Sequence, residues 1–309
     1  MNRVIRIGTR QSELATWQAT QVAELLKSFG YSSEIVFVKS EGDIDLQTPL
    51  YEMGVQGIFT RSLDIALLAD RVDIVVHSMK DVPTQLPKGI QQAAVLPRAS
   101  WKDILVFRDN ADFLEDAVAP AKIATSSIRR RAQWLRKFPN HTMENLRGNI
   151  NTRLAKVADS DWQGAIFAAA GVDRIHVRPA KSIELDWMLP APAQGAIVVV
   201  CRQTDEYCLE ACNHFNDAST ALCVKAERDF LRQLMGGCST PIAAICEVKN
   251  QTAIFRGNIL SVDGKQAVSV EKQCLVTDAA ELGRLAGEEV LSNGGRAILN
   301  SMTTILKTV

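Results

Sequence analysis

Apolar residues recur along this chain with two different spacings. The run at 72–76 is short, β-branched and mostly apolar, which is typical of a strand buried on both faces of a sheet. At 14–29, apolar residues instead recur at helical spacing. Strand patterns at 4–7 and 35–38 and a helical pattern at 59–67 complete the order strand, helix, strand, helix, strand. This order predicts a parallel sheet with right-handed crossovers.

A second unit of the same kind begins near residue 101. Strands are predicted at 104–107, 121–125, 143–146 and 165–170. Three of them lead through a polar turn into a helix, each time with an arginine near the turn. Residues 190–195 contain two prolines, which restrict the backbone and predict a hinge. The apolar run at 196–201 then predicts a strand that returns to the first sheet.

The last third has a different pattern, typical of a small α+β domain. A helix, two strands and a second helix are predicted at 218–233, 253–258, 267–276 and 279–293. Asp263 and Gly264 form the hairpin turn between the strands. The fold class is therefore α/β, with two wound sheets and a C-terminal α+β domain. The predicted domains are 1–98 with 196–214, then 99–195, then 215–309.

Charge and composition limit the classes of function. Of the 309 residues, 47% are hydrophobic, so sizeable cores can form. Lys and Arg together number 35, as do Asp and Glu, which argues against a general nucleic-acid or anionic-membrane binder. No uninterrupted apolar window of ~18 residues predicts a membrane span. Residues 1–6 lack the apolar core of a signal peptide, so we expect a cytoplasmic protein without membrane or nucleic-acid partners.

The seven cysteines show neither a disulfide frame nor a common zinc pattern. An odd number in a cytoplasmic chain predicts free thiols. Cys208, Cys212 and His214 form the one cluster that resembles metal ligands, in a predicted helix, but their spacing matches no common zinc site. No metal is therefore predicted, and a metal-dependent enzyme remains an alternative to be tested by metal analysis.

Three turns offer candidate anion sites: TRQS at 9–12, TSSIRR at 125–130 and RGN at 147–149. Helix N-terminal N–H groups favour carboxylates or phosphates, and an arginine adds a planar fork that matches either anion. Any one turn could be an ordinary helix cap with a solvated arginine. Residues 129–131 are all arginine and lie at ~100° intervals around a helix, so they cannot all face one pocket. No Walker or Gly-x-Gly-x-x-Gly loop predicts a nucleotide.

Two further positions could carry chemistry. Lys80 and Asp81 lie just past the carboxyl end of the 72–76 strand, where ligands bind in open α/β sheets, although such a pair is often only a surface ion pair. Cys238 follows two glycines, which let the backbone approach a ligand closely. A thiolate there would be nucleophilic, whereas a small buried thiol is the alternative interpretation.

Four motifs occur in the order seen in the porphobilinogen deaminase family, also called hydroxymethylbilane synthases. They are HSMKDVP at 77–83, TSSIRR at 125–130, LRGN at 146–149 and GGCSTP at 236–241. The chain resembles this family nearly end to end, from residue 9 into the C-terminal domain. The resemblance implies three domains, of which the first two are similar to periplasmic binding proteins.

The resemblance also implies an activity. Four porphobilinogen molecules would join head to tail, with loss of ammonia, to give linear hydroxymethylbilane. It implies a dipyrromethane cofactor made from the same substrate and held by a thioether, with Cys238 as the attachment point. Asp81 would be the catalytic carboxylate. The family further implies a monomer.

Other residues match family binding positions. For the cofactor these are Lys80, Ser78, Thr125, Ser126, Ser127, Arg129, Arg130, Arg147 and Gly148. For the substrate they are Arg10, Ser12, Arg153 and Gln194. The chain departs from the family at Gln56 and Glu52, where lysines occur in other members, and at Ala193, where glycine is common. No role is therefore assigned to cations in the 43–57 loop, which together with the 190–195 hinge is a candidate for motion during chain growth.

A different class of function would use the same turns. A two-lobed carboxylate-binding module without catalysis could also be built from two wound sheets and arginine-bearing turns. Such a module needs neither a cysteine behind two glycines nor a Lys80-Asp81 pair, so these features favour the transferase.

Overall fold

The structure, a computed structural model, describes residues 3–39, 60–116, 118–235 and 240–306. Over these residues the strands are β1 (Ile5–Thr9), β2 (Ser33–Phe37), β3 (Ile74–Ser78), β4 (Ile90–Val95), β5 (Asp103–Phe107), β6 (Lys122–Ala124), β7 (Thr142–Glu144), β8 (Gly164–Ala168), β9 (Ser182–Glu184), β10 (Ile197–Arg202), β11 (Ile242–Lys249), β12 (Thr252–Leu260) and β13 (Ala267–Leu275). The helices are α1 (Glu13–Ser28), α2 (Arg61–Leu68), α3 (Ile128–Lys137), α4 (Ile150–Asp159), α5 (Ala169–Arg174), α6 (Glu206–Asn213), α7 (Ala218–Gln233), α8 (Leu282–Val290) and α9 (Arg296–Leu306).

The first of two compact units contains a five-stranded sheet in the order β2-β1-β3-β10-β4. Strands β2, β1 and β3 are parallel, as their order in the sequence predicts. Strand β10 joins this sheet, which confirms the predicted return of the 196–201 run. It runs antiparallel to both β3 and β4, so the sheet is mixed rather than wholly parallel. The register runs from the pair Ile197 and Ser78 to the pair Cys201 and Ile74, so the two strands point in opposite directions.

Helix α1 packs on this sheet through the face that its apolar periodicity predicts. Ser12 caps it by accepting a hydrogen bond from the Ala15 N–H, as predicted. Ala19, Val22 and Leu26 are fully buried in the core of the unit. The cap fixes where the helix starts and therefore where the turn before it, residues 10–12, lies at the end of β1.

The second unit contains the sheet β7-β6-β8-β5-β9. Strands β6, β7 and β8 are parallel, whereas β5 is antiparallel to β8 and β9. Trp134 of α3 is fully buried against one face, and Val172 of α5 belongs to the core on the other. The recurring strand, turn and helix order of the sequence is confirmed by β6–α3, β7–α4 and β8–α5.

The same unit includes a three-stranded antiparallel sheet, β11-β12-β13, covered by α7 and α8. Phe230 of α7 and Phe255 of β12 are both fully buried at its centre. The Gly264 turn joins β12 to β13, as predicted. The predicted 279–293 helix begins later, as α8, and ends where Gly294 adopts a φ of 106°. Helix α9 follows this point and was not predicted from the sequence, and neither were the strands β4, β9 and β11.

The α/β class with two wound sheets and a small C-terminal sheet is confirmed. The boundaries proposed at residues 98, 195 and 214 stay a prediction. Within the described ranges, no helix combines the length and apolar character needed to cross a bilayer.

Candidate active site

The turn after β3 presents Asp81 at the carboxyl end of the first sheet. Residues Met79–Asp81 form one turn of 3₁₀ helix. Met79 is buried, and its N–H donates to the Ala196 carbonyl at 3.0 Å. The Val82 N–H closes the turn on the Met79 carbonyl at 3.2 Å. Anchoring at Met79 leaves Asp81 half-buried, and no described residue forms a hydrogen bond or ion pair with its carboxylate.

Arg10 and Ser12 lie beside this turn because β1 and β3 are neighbouring parallel strands. The pairing of Gly8 with Val75 aligns the ends of the two strands. The Thr9 hydroxyl donates to the Ala15 carbonyl at 3.1 Å, which ties the end of β1 to the first turn of α1. Arg10 and Ser12 are partly buried between these two points and line the pocket at the end of β3.

A pocket of about 370 Å³, measured with its open mouth, forms where these turns meet. It is lined by Arg10, Ser12, Leu14, Ala15, Gln18, Leu63, Val76, His77, Ser78 and Asp81. Four of the residues predicted from the sequence, Arg10, Ser12, Ser78 and Asp81, are thus brought together in one cavity. The pocket combines a guanidinium, two hydroxyls and one carboxylate.

Gln18 and His77 also line this pocket and were not predicted. The Gln18 amide donates to the Ser78 hydroxyl at 2.9 Å and is almost fully buried. Its position was detectable, because it is a polar residue on the apolar face of α1, between Ala15 and Ala19. Burial, and then the nearby Arg10 cation, lower the pKa of His77 to about 3, so its imidazole is neutral at physiological pH.

The Lys80 side chain contacts a different part of the first unit, around Gln194. Its ammonium donates to the side-chain oxygen of Gln194 at 3.5 Å. Gln194 is buried, between Ala193 with a φ of 64° and Gly195 with a φ of 85°. The two predicted residues Lys80 and Gln194 are therefore adjacent, although neither is among the residues that line the pocket around Asp81.

In the second unit, the predicted turns at 125–127 and 146–149 are linked to each other. The Ser126 hydroxyl donates to the Leu146 carbonyl at 2.6 Å and accepts from the Leu146 N–H at 3.0 Å. Ser127 caps α3, and the Thr125 hydroxyl accepts from the Ser127 N–H at 3.2 Å. Since β6 and β7 are parallel neighbours, both turns lie at the same edge of the second sheet.

Arg129 and Arg130 converge on one buried acid, Asp103 of β5. The Arg129 guanidinium lies 2.8 Å from one carboxylate oxygen of Asp103, and that of Arg130 lies 2.7 Å from the other. Arg129 also donates to the Leu189 carbonyl, and Arg130 to the Ile166 carbonyl at 2.9 Å. Burial lowers the pKa of Arg129. The cluster of two cations and one anion carries a net charge of one.

Arg147, Gly148 and Arg153 form the start of α4. Arg147 is buried, and its carbonyl accepts from the Lys156 ammonium at 3.2 Å. Gly148 has a φ of 114°, and a Cβ at this position would lie 2.9 Å from the Thr152 methyl carbon, so glycine is required here. Arg153 donates from Nε to the Gly148 carbonyl at 2.7 Å. The helix begins with an Asn149 cap.

A further arginine, Arg174, was not predicted as a site residue. It ends α5 and is buried, and burial lowers its pKa to about 10. The available signal was the third repeat of strand, turn and helix, which carries its arginine at this position. Arg174 joins Arg129, Arg130 and Arg147 as a buried arginine of the second unit.

Some predicted positions lie outside the described residues. They are Cys238 with its two preceding glycines, and Gln56 and Glu52 in the 43–57 loop. The six cysteines that are described are free. In that part of the chain, no three or more His, Cys, Asp or Glu side chains are arranged to hold a metal ion. Burial raises the pKa of both Cys208 and Cys212.

Comparison with known proteins gives a consistent result. Residues 5–210 match the family model "Porphobilinogen deaminase, dipyromethane cofactor binding domain", and residues 221–292 match "Porphobilinogen deaminase, C-terminal domain". The porphobilinogen deaminase of Syntrophotalea carbinolica is 39% identical over 302 residues, covering 96% of each chain. That of Syntrophomonas wolfei is 39% identical, covering 96% of this chain and 98% of its own.

A third relative and one solved structure complete the comparison. The porphobilinogen deaminase of Chlorobium phaeobacteroides is 39% identical, covering 97% of this chain and 98% of its own. The solved structure of an ancestral cationic amino acid solute binding protein covers 69% of this chain and 87% of its own, with a TM-score of 0.44 and 16% identity. The family models and the full-length relatives are decisive without that structure: the chain belongs to the porphobilinogen deaminase family.

Proposed function

We propose that Asp81 is the catalytic carboxylate of this protein, and that Cys238 anchors its dipyrromethane cofactor. As a porphobilinogen deaminase, which is a hydroxymethylbilane synthase, the chain is a transferase that polymerises pyrroles. Four porphobilinogen molecules join, with loss of ammonia, into linear hydroxymethylbilane. The observation that carries the proposal is the first-unit pocket, in which Asp81 lies with Arg10, Ser12 and Ser78.

The carboxylate of Asp81 suits both halves of this reaction. Loss of ammonia from porphobilinogen leaves a cationic azafulvene, and a nearby carboxylate stabilises that charge. The same carboxylate can deliver a proton to the leaving amine and accept one from the new pyrrole junction. Since no described residue engages the Asp81 oxygens, they are available for these transfers. The anchored Met79 holds the turn in place.

The other pocket residues bind and orient the substrate. Porphobilinogen carries an acetate and a propionate arm, and the Arg10 fork matches a carboxylate. Ser12 and Ser78 supply hydroxyls, and the bond from Gln18 orients Ser78. The neutral His77 contributes no competing positive charge. Gln194 and Arg153 are proposed as further substrate-binding residues, on the strength of the family motif.

The second-unit residues fit a cofactor that bears carboxylates. Arg147 is buried at the turn that Gly148 permits, and the Ser126 hydroxyl fixes this turn to the start of α3. The Arg129 and Arg130 cluster retains one positive charge. We propose that these residues hold the cofactor, together with Lys80, Ser78, Thr125, Ser127 and Gly148. When bound, the dipyrromethane supplies the pyrrole end to which the first substrate is joined.

Two expectations of the proposal concern the protein as a whole. We propose a cytoplasmic monomer whose partner is its small-molecule substrate, with no nucleic acid or membrane. The balance of 35 basic against 35 acidic residues supports the absence of polyanionic partners. Light scattering on the purified protein tests the monomer, because a dimer would have twice the 33.9 kDa mass of the chain. A binding module without catalysis is not favoured, because the relatives are named as deaminases over their full length.

Replacement of Asp81 tests its role. We expect Asp81→Asn to fold with a parent-like thermal midpoint and to consume porphobilinogen about 10²–10⁴-fold more slowly, since proton transfer by a positioned group contributes that much. Glu24→Gln, which removes an exposed carboxylate of the same unit, is the matched control and should retain the parent rate. A folded Asp81→Asn enzyme with full activity would exclude Asp81 as the catalytic carboxylate.

Intact mass tests the anchor. The denatured parent should exceed its sequence mass by two linked pyrrole units, and Cys238→Ser should lack this excess. Cys274→Ser, which replaces a free, partly exposed thiol, should keep it. An excess that persists in Cys238→Ser would disprove the anchor. If neither chain carries an excess, weighing both again after addition of porphobilinogen distinguishes an apo preparation from a wrong assignment.

A further inference from the structure

A second cavity lies in the second unit, away from Asp81. It opens between the last turns of α3 and the outer face of the β12–β13 hairpin, and we call it the hairpin groove. Its empty volume is about 510 Å³ with its open mouth included. It is lined by Gln133, Arg136, Lys137, Trp187, Asn258, Leu260, Ala267 and Ser269.

Four lining residues come from one face of the hairpin. Asn258 pairs with Ser269 across the strands, and Leu260 pairs with Ala267. Residues two apart on a strand point to the same face, so these four form a continuous floor that is polar at one end and apolar at the other. The carbonyl oxygen of the Asn258 side chain is buried, and none of the residues that the structure describes donates a hydrogen bond to it.

The groove is positively charged. Among the described residues that line it there are two cations, Arg136 and Lys137, and no acid. The Lys137 ammonium lies 5.1 Å from the centroid of the Trp187 ring and 5.8 Å from that of Phe138. No carboxylate in the described part of the chain pairs with either cation. Two aromatic rings therefore position the ammonium while its N–H donors stay available to an anion.

The two walls of the groove are held together by close backbone packing. Arg136 donates to the carbonyls of Gly264 and Lys265, both at 3.3 Å. A Cβ at Gly264 would lie 2.4 Å from the Ala132 carbonyl oxygen, so the hairpin turn sits directly on the α3 backbone. The Gln133 side-chain amide donates to the Leu189 carbonyl and accepts from the Leu189 N–H, both at 2.9 Å. The groove is thus preformed rather than a gap between loose parts.

We propose that the hairpin groove is a second, non-catalytic binding site for a small aromatic carboxylate. The carboxylate would accept hydrogen bonds from Lys137 and Arg136, and the ring would rest on Leu260 and Ala267 with its edge towards Trp187. Because the ligand would contact both α3 and the hairpin, its binding would stabilise their junction.

Calorimetric titration of the holoenzyme tests the site. The probes are pyrrole-2-carboxylate, uncharged pyrrole and inorganic phosphate. Lys137→Met keeps the aliphatic stem and removes the charge, and Lys88→Met, at an exposed lysine of the first unit, is the matched control. We expect pyrrole-2-carboxylate to bind more tightly than the other two probes. Lys137→Met should weaken it about fivefold or more, the loss of a charged hydrogen bond, and Lys88→Met should not.

Three results would overturn the proposal. The first is equal affinity in Lys137→Met and the parent. The second is that phosphate binds as tightly as pyrrole-2-carboxylate, which would indicate a general anion site. The third is that Arg10→Met abolishes all binding, which would place the ligand in the pocket around Asp81. Porphobilinogen turnover by Lys137→Met at the parent rate would separate this site from the catalytic one, and a loss of turnover would refute its non-catalytic character.

Discussion

Replacing Asp103 with asparagine removes the charge on which two arginines of the candidate cofactor site depend. Asp103 is fully buried on β5. One of its oxygens lies 2.8 Å from Arg129, and the other accepts from Arg130 at 2.7 and 3.1 Å. Asparagine keeps the shape of the side chain but replaces one acceptor with an amide donor that would face a guanidinium. Both cations would then be buried without a counter-charge.

The magnitude follows from the burial of all three groups. Removing one partner of a buried ion pair costs about 3–5 kcal/mol, because the remaining charge is left uncompensated. Each arginine still donates one hydrogen bond to a backbone carbonyl, Arg129 to Leu189 and Arg130 to Ile166, so we expect about 4 kcal/mol. That is a large fraction of the ~5–15 kcal/mol of a typical domain. With a denaturant slope of ~2.5 kcal/mol per molar, the urea midpoint should fall by about 1.5 M.

Urea unfolding followed by tryptophan fluorescence measures this loss, because Trp134 is fully buried on the neighbouring helix. The matched control is Asp186→Asn. This exposed carboxylate pairs with Lys102 at 2.6 Å, and its loss should cost less than about 1 kcal/mol. If Asp103→Asn costs no more than the control, the reasoning from burial is refuted. We also expect a clear coupling energy in a double-mutant cycle of Asp103→Asn with Arg130→Met. Absence of coupling would likewise refute the reasoning.

Three more predictions concern packing and pH. Gly264→Ala places a Cβ 2.4 Å from the Ala132 carbonyl oxygen on a backbone with a φ of 74°, and should lower stability by about 1–3 kcal/mol in thermal unfolding. Gly283→Ala places a Cβ 1.8 Å from the Ala226 oxygen, so α7 and α8 must separate, and a parent-like urea midpoint would contradict this packing. Burial alone would raise the pKa of Asp73, but hydrogen bonds from its arginines hold it well below its usual range. Its stabilisation is fully present above about pH 4 and declines progressively as the pH falls further towards the lowered pKa, so the deficit in the thermal midpoint of Asp73→Asn should be larger at pH 7 than at pH 3.

Local signals in the sequence were sufficient for the two longest helices, α1 and α7, and for buried strands such as β3 and β10. The helix predicted at 218–233 coincides with α7, Ala218–Gln233. Helix α1 begins after the Ser12 cap, and Gly30 follows its end with a φ of 85°. Both helices are long enough for apolar periodicity to be unambiguous. In contrast, β9 has only three residues, and β4 begins Ile-Gln-Gln without a clean alternation. Neither segment contains enough pattern to distinguish a strand from a loop.

Sheet direction and the convergence of the site required information that no local window contains. Strand β10 is apolar like a buried parallel strand, and its local pattern does not reveal that it pairs antiparallel with β3 and β4. In the same way, Gln18 and Ser78 are 60 positions apart and meet because α1 covers β3. The motif residues Arg10, Ser12, Ser78 and Asp81 could be named from the sequence. That they line one pocket follows from the parallel pairing of β1 and β3.

The arginines show what reasoning from the sequence leaves open. Spacing of ~100° around a helix predicts that Arg129, Arg130 and Arg131 cannot all face one pocket. Two of them, Arg129 and Arg130, reach the same carboxylate, that of the buried Asp103 on β5. A count of arginines therefore overstates the positive charge offered to a ligand: two cations share one Asp103, and the net charge is one. The capacity of this turn for an anion depends on a residue that no motif contains. This is why Asp103, rather than either arginine, is the informative position to change.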